Sequence, residues 1–176
     1  MKKAAFAALV FLLAYTSNAQ SFGIKGGVNF SSLNGSDDGS FKSLTSFHIG
    51  MLKEFILLDN LTLQPELLYS TQGAQIKNSD DDYKLNYLLM PVLAKIYLNE
   101  SFNIHAGPQF GLLLGETKNV TPVESKSFDL GIAAGLEYEL TNGISITGRY
   151  IWGQNSLADN ADLKNSVIQL SLGFLF

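Results

Sequence analysis

The chain ends on a strict two-residue alternation. Ile168, Leu170, Leu172, Phe174 and Phe176 fall on one parity, and Gln169, Ser171 and Gly173 fall on the other. A strand turns successive side chains to opposite faces, so this segment has one apolar face and one small or polar face. Segments of the same kind recur back to residue 22.

Reading by period two predicts eight strands separated by turn residues. They run over Phe22–Leu33, Thr45–Leu57, Leu61–Gln75, Tyr83–Leu98, Phe102–Gly115, Ser127–Leu140, Ile144–Ser156 and the closing segment. In the sixth, Phe128, Leu130, Ile132, Ala134, Leu136, Tyr138 and Leu140 oppose Asp129, Gly131, Ala133, Gly135, Glu137 and Glu139. Connections alternate in length. Short ones fall at Leu58–Asn60, Asn99–Ser101 and Thr141–Gly143; long ones run over Asn34–Leu44, Ile76–Asp82, Glu116–Lys126 and Leu157–Lys164. Membrane barrels combine an even strand number with short turns on one side and long loops on the other. The expected fold is therefore all-β, an eight-stranded antiparallel up-and-down transmembrane barrel.

The N-terminus agrees with export. Lys2 and Lys3 precede the apolar run Ala4–Tyr15, and Ser17 and Ala19 are the small residues of a leader-peptidase site. The run is too short for a helical span, which needs about 20 residues. Residues 1–19 are read as a signal peptide and 20–176 as one barrel domain placed in the cell outer membrane. There is no cysteine, hence no disulfide, lipobox or thiolate metal site. A net charge of −4 without a basic patch argues against a nucleic-acid partner.

Alternation alone does not say which face is inside. A soluble lipocalin-type barrel would turn the apolar face inward. Here the polar parity is rich in Gly, Ser and Thr, which suits a narrow interior better than a solvated surface. The apolar parity carries more Trp, Tyr, Phe and Leu than eight strands can enclose. Aromatics also fall where interface girdles are expected: Tyr150, Trp152, Tyr69 and Phe47 toward the loops, Phe55, Phe102, Tyr138 and Phe174 toward the turns.

Several segments carry a family likeness: the leader end Asn18-Ala19-Gln20, the opening Gly23-Ile24-Lys25-Gly26-Gly27, and Gln64-Pro65-Glu66-Leu67-Leu68-Tyr69-Ser70. To these are added Tyr87-Leu88-Leu89-Met90-Pro91-Val92-Leu93-Ala94-Lys95, Gly107-Pro108 and the terminal phenylalanine. On these motifs the chain resembles the Bacteroidota-type outer-membrane β-barrel family that includes the PorT-like proteins. The resemblance implies the barrel fold and no shared activity. The C-terminal aromatic strand resembles the signal read by the outer-membrane assembly machinery, which makes Phe176 an expected assembly signal.

On the inward parity lie Lys25, Lys95 and Arg149 with Glu54, Glu66, Glu137 and Glu139. Unpaired, such groups are costly in a narrow lumen, so a salt-bridged, hydrogen-bonded plug is expected. An ion path lined by charge is the rival. Glu137 and Glu139 share a face, but without a cleft they make no glycosidase pair. His48 and His105 are expected toward opposite mouths. His48 beside Ser46 is the nearest approach to a hydrolase site, but His48 is read instead as a hydrogen-bonder of the lumen or rim. The acidic stretches Asp37-Asp38, Asp80-Asp81-Asp82 and Asp159–Asp162 lack calcium-loop spacing.

Two features sit awkwardly. Pro65, Pro91 and Pro108 fall inside strands, where bulges are the expected accommodation. The fourth strand is apolar on both parities, and a bulge near Pro91 could switch its faces. Lys53 falls on the lipid parity close to a short turn, where its stem can snorkel. The functional expectation is a monomer without catalytic site, metal or cofactor, partnered by outer-membrane lipid and acting structurally or through its outer loops. A narrow porin-like channel and an accessory barrel for secretion or envelope assembly are the alternatives.

Overall fold

The computed structural model describes residues 21–35, 41–76, 82–117, 127–155 and 163–176. The leader and the acidic stretches at Asp37, Asp80 and Asp159 lie outside them. The strands are β1 (Phe22–Gly35), β2 (Phe41–Lys53), β3 (Phe55–Leu58), β4 (Leu61–Ile76), β5 (Asp82–Tyr97), β6 (Phe102–Thr117), β7 (Phe128–Glu139), β8 (Ile144–Gly153) and β9 (Leu163–Leu175).

Except for β2 and β3, which do not pair with each other, each strand pairs antiparallel with its chain neighbours, and β9 returns to β1. The sheet order is β2-β1-β9-β8-β7-β6-β5-β4-β3, and a further β2–β4 pairing closes the wall. β2 and β3 are one wall strand interrupted at Glu54, so eight strands form the barrel. Closure leaves no unpaired edge, which a wall in hydrocarbon requires. The turn between β7 and β8 tightens through Asn142 (φ 70°) and Gly143 (φ 79°), residue types that tolerate the left-handed region.

The prolines interrupt the wall without bulging it. Pairing between β2–β3 and β4 skips from Leu52↔Glu66 to Phe55↔Leu63, opposite Pro65, in unchanged register. Between β4 and β5 it skips from Pro65↔Val92 to Leu68↔Leu89, around Pro91. Between β5 and β6 it skips from Pro91↔Gln109 to Ala94↔Ala106, around Pro108. A ring nitrogen has no proton to donate, so each gap removes rungs locally and preserves register. On the other edge of the interrupted β2–β3 strand, the Glu54 N–H donates to Ser21 O at 2.9 Å, continuing the β1–β2 ladder. Register shifts occur elsewhere, between Ser43 and His48 and between Asn86 and Tyr87.

The face switch considered at Pro91 does not occur, and Lys95 points inward. Leu85, Tyr87, Leu89, Leu93 and Lys95 are all buried on one parity. β5 is apolar on both faces because its inner face packs on an apolar half of the lumen. Leu85, Tyr87 and Leu89 cluster with Leu68 and Ala74, and Leu93 clusters with Ala133, Ile151 and Val167.

The lipocalin-type alternative is settled by orientation. Ile132, Leu136 and Leu170 keep 49%, 53% and 51% of their surface exposed, whereas Glu66 keeps 2% and Lys95 none. The polar face is inside. Aromatic pairs line the outer surface near both rims: Phe47–Tyr69 at 6.1 Å and Tyr150–Trp152 at 4.4 Å, then Phe22–Phe176 at 5.6 Å. Lys53 lies over the Phe55 ring at 5.2 Å, beside the short turn.

Close strand approach fixes two inward glycines. A Cβ on Gly27 would lie 2.0 Å from Leu170 O, and one on Gly50 would lie 2.0 Å from Leu67 O. Both contacts are to backbone, which cannot step aside as a side chain can. These positions set how tightly the wall coils around its contents.

Candidate functional site, the ion-paired lumen

All seven charges placed inward by parity meet in the lumen, in two groups joined by Glu137. In the first, Arg149 makes a two-pronged contact with Glu66. Its Nη1 donates to Oε2 at 2.8 Å and its Nη2 to Oε1 at 2.7 Å. The planar guanidinium fits a carboxylate in this way, with geometric specificity that an ammonium lacks. Lys25 Nζ donates to Glu66 Oε1 at 3.1 Å and reaches Glu137 Oε2 at 3.4 Å. Gln64 Nε2 adds a bond to Glu66 Oε1 at 2.6 Å.

In the second group Lys95 sits among three carboxylates. Its Nζ lies 2.5 Å from Glu54, 2.6 Å from Glu137 and 3.1 Å from Glu139. Those carboxylates each bring an oxygen within 4.8 Å of one another, a spacing that would suit a cation. The ammonium is already that cation. Four carboxylates thus face three basic groups, and Glu139 is the most open of them, with 24% of its side chain exposed. Tyr97 Oη donates to it at 2.6 Å. Thr147 Oγ1 donates to Glu137 Oε2 at 2.6 Å.

A neutral polar layer lies on the inner faces of β1, β2, β4 and β9, and apart from His48 its members were not singled out in the sequence. Asn29 Oδ1 accepts from His48 Nδ1 at 2.7 Å and from Gln169 Nε2 at 3.0 Å. Asn29 Nδ2 is shared among Phe47 O, Ser70 Oγ and Thr71 O at 2.8–3.0 Å. With its proton on Nδ1, His48 accepts from Ser171 Oγ at Nε2, 2.8 Å away. Gln72 donates to Ser70, and Asn165 to Gln72. Every side chain in this layer lies on the inward parity, the signal that could have found it; Phe47 and Thr71 take part through backbone oxygens only.

His48 is a hydrogen-bonder of the lumen, as read from its parity, and makes no pair with Ser46: Ser46 Oγ donates to Thr71 O, and His48 takes Ser171. His105 accepts from Arg149 Nε at 3.3 Å, so the two histidines belong to different networks. Ser171, His48 and Asn29 do form a hydroxyl–imidazole–amide relay. The relay lies inside the lumen, with Ser171 6% and His48 1% exposed. Ser171 pairs with Gly27 on one side and Thr147 on the other, so the backbone N–H groups around it belong to the ladders. An oxyanion needs free donors at that point.

Phe176 is exposed at the turn end. Its N–H donates to Phe22 O at 2.8 Å, tying the last residue to the first strand. On the outer wall, Ala94, Ala106 and Ala134 stand side by side in register and line a shallow apolar depression with Ile96, Ile104 and Leu136.

The profile of a family described as outer membrane protein beta-barrel domain matches residues 17–159. No curated protein sequence shows a significant match. Among solved structures, Neisserial surface protein A is similar with a TM-score of 0.63 at 13% identity, covering 90% of this chain and 100% of that one. Ail, the attachment invasion locus protein of Yersinia pestis, gives 0.57 at 14% identity with the same coverages. The outer membrane enzyme PagL gives 0.50 at 15% identity, covering 89% and 99%. At such identities the likeness is one of fold.

Proposed function

The chain belongs to the outer membrane protein beta-barrel domain family, and from that premise we propose a non-enzymatic barrel with a plugged lumen that works through its outer loops. Outer-membrane placement follows from the family and from the exposed apolar wall. The role does not follow from the fold, since the same wall carries a surface protein, an attachment protein and an enzyme in other chains. The observation that carries the proposal is the buried network of Lys25, Glu66, Glu137, Arg149 and Lys95. These side chains use the bore for pairing one another and leave the loops as the part that meets partners. The buried relay at Ser171 supports the non-enzymatic reading, because its flanking backbone donors are already used.

Loop replacement tests this in the producing organism. Short Gly-Ser connections in place of residues 36–40, 77–81, 118–126 and 156–162 should yield a barrel that still inserts. Cells carrying it should behave like the deletion strain, while cells carrying apolar replacements of the plug should behave like wild type. Full complementation by the loopless barrel would defeat the proposal. A PorT-like accessory role, suggested by the family resemblance alone, is the second reading, which loss of secreted proteins from the deletion strain would reveal. Phe176 is proposed as an assembly signal, and the barrel as a monomer.

A further inference from the structure

Asp129 stands apart from the other lumen charges. It is 7% exposed on the inner face of β7, and no ion pair among the described residues includes it. Its carboxylate accepts from the Leu130 backbone N–H. Each of the seven charges in the main network has an oppositely charged partner; among the described residues this carboxylate has none.

Its neighbours are also short of partners. Tyr87 and Asp129 flank Gly111: a Cβ there would lie 3.3 Å from Asp129 Cβ and 3.5 Å from Tyr87 Cδ1. Tyr87 is fully buried, and its hydroxyl has no hydrogen-bond partner. Gln109 lies in register with Gly131, and Gly131 with Gly153. A Cβ on Gly153 would meet the Asn165 backbone at 2.5 Å, so Gln109 and Asn165 flank a pair of glycines on the inner wall. Gln109 and Asn165 are each 2% exposed, and Gln109 Oε1 and Asn165 Oδ1 are both unpartnered.

Buried polar groups are nearly always hydrogen-bonded, and a lone buried carboxylate is costlier still. Here one negative charge, two amide oxygens and a phenol line the inner faces of β5, β6, β7 and β9, around Gly111, Gly131 and Gly153. The oxygens lack a partner for their lone pairs, and the carboxylate's charge makes a cation the partner that answers all of them. We propose that this stretch, in the loop-side half of the lumen, is a binding site for a small cation, either a hard metal ion or a primary ammonium. The Lys95 centre shows the same solution made internally, with a lysine supplied by the chain. An anion or an apolar molecule would leave the deficit in place. The site does not depend on the role of the loops, and its failure would leave that reading intact.

Calorimetric titration of the refolded, detergent-held barrel tests it. Calcium, magnesium and methylammonium chlorides are the probes, with tetramethylammonium as a cation that is bulky and has no N–H. Saturable one-to-one binding of a metal ion or of methylammonium is expected, and the arm that responds identifies the source of charge. Asp129→Asn should weaken it about tenfold or more, the scale of a lost charged hydrogen bond. Glu139→Gln, at the other mouth, should leave it unchanged. Should Asp129→Asn fail to show the heat-modifiable gel shift of a folded barrel, Tyr87→Phe and Gln109→Leu carry the test, each expected to weaken binding. The proposal is overturned if none of the three probes binds, or if Asp129→Asn, or both of the other variants, bind as wild type does.

Discussion

Glu66→Ala is expected to destabilise the barrel by about 3–5 kcal/mol, the cost of breaking a buried ion pair from one side. The magnitude follows from what remains. Arg149 loses its two-pronged partner, and Lys25 loses the nearer of its two carboxylates. Both cations then sit almost wholly buried, with 1% of their side chains exposed. Urea unfolding in phospholipid vesicles, followed through Trp152 fluorescence, would read the loss. The converse is equally specific. Replacing the set together, Lys25→Met with Glu66→Leu and Arg149→Met, removes the charges and their desolvation at once. That triple variant should recover most of the loss, because buried ion pairs exchanged for well-packed apolar groups are often neutral or stabilising. A loss below about 1 kcal/mol for Glu66→Ala would place that pair in the range of solvent-exposed salt bridges.

Lys95→Met should be similarly damaging and should change what stabilises the protein. Without the ammonium, the oxygens of Glu54, Glu137 and Glu139 stay within 4.8 Å of one another with no positive charge among them. Like charges at that range repel strongly away from bulk water. The variant should lose about 3–5 kcal/mol without added metal. It should regain a large part of that on titration with calcium, whose preferred ligands are carboxylate oxygens. Wild type should respond far less at this mouth, because Lys95 already fills it. Equal calcium responses in the two proteins would contradict the assignment of Lys95 as the internal cation.

The wall was the most legible part of the sequence. In β7 and β9 the period of two runs unbroken, and one face had to be lipid because its rings could not fit inside. Strand ends were less legible: β9 begins at Leu163, before its alternation becomes visible at Ile168. β5 misled for a physical reason. Its inner face is apolar because Leu85, Tyr87 and Leu89 pack on Leu68 and Ala74, so parity carried no contrast there. The prolines misled for another, since a missing donor can leave a gap in the ladder without moving the register.

The site was legible in membership and opaque in pairing. Charged residues on the inward parity identified Lys25, Glu66, Lys95, Glu137 and Arg149. Which carboxylate meets which cation depends on the stagger of strands around the barrel, and the partners are far apart in the chain. Lys25 and Glu137 are 112 residues apart. Parity puts amides and hydroxyls such as Asn29, Ser171 and Gln169 inside, but which of them bond one another depends on neighbours across the lumen that the sequence does not show.

Planar-bilayer recording of the purified barrel is the most direct test of a bore closed by its own charges. Wild type should insert without a steady ionic current, whereas Glu66→Ala combined with Arg149→Ala should open a measurable, salt-dependent conductance. A stable open current through the unmodified protein, carried at the same level by the double variant, would show that these residues do not close the path.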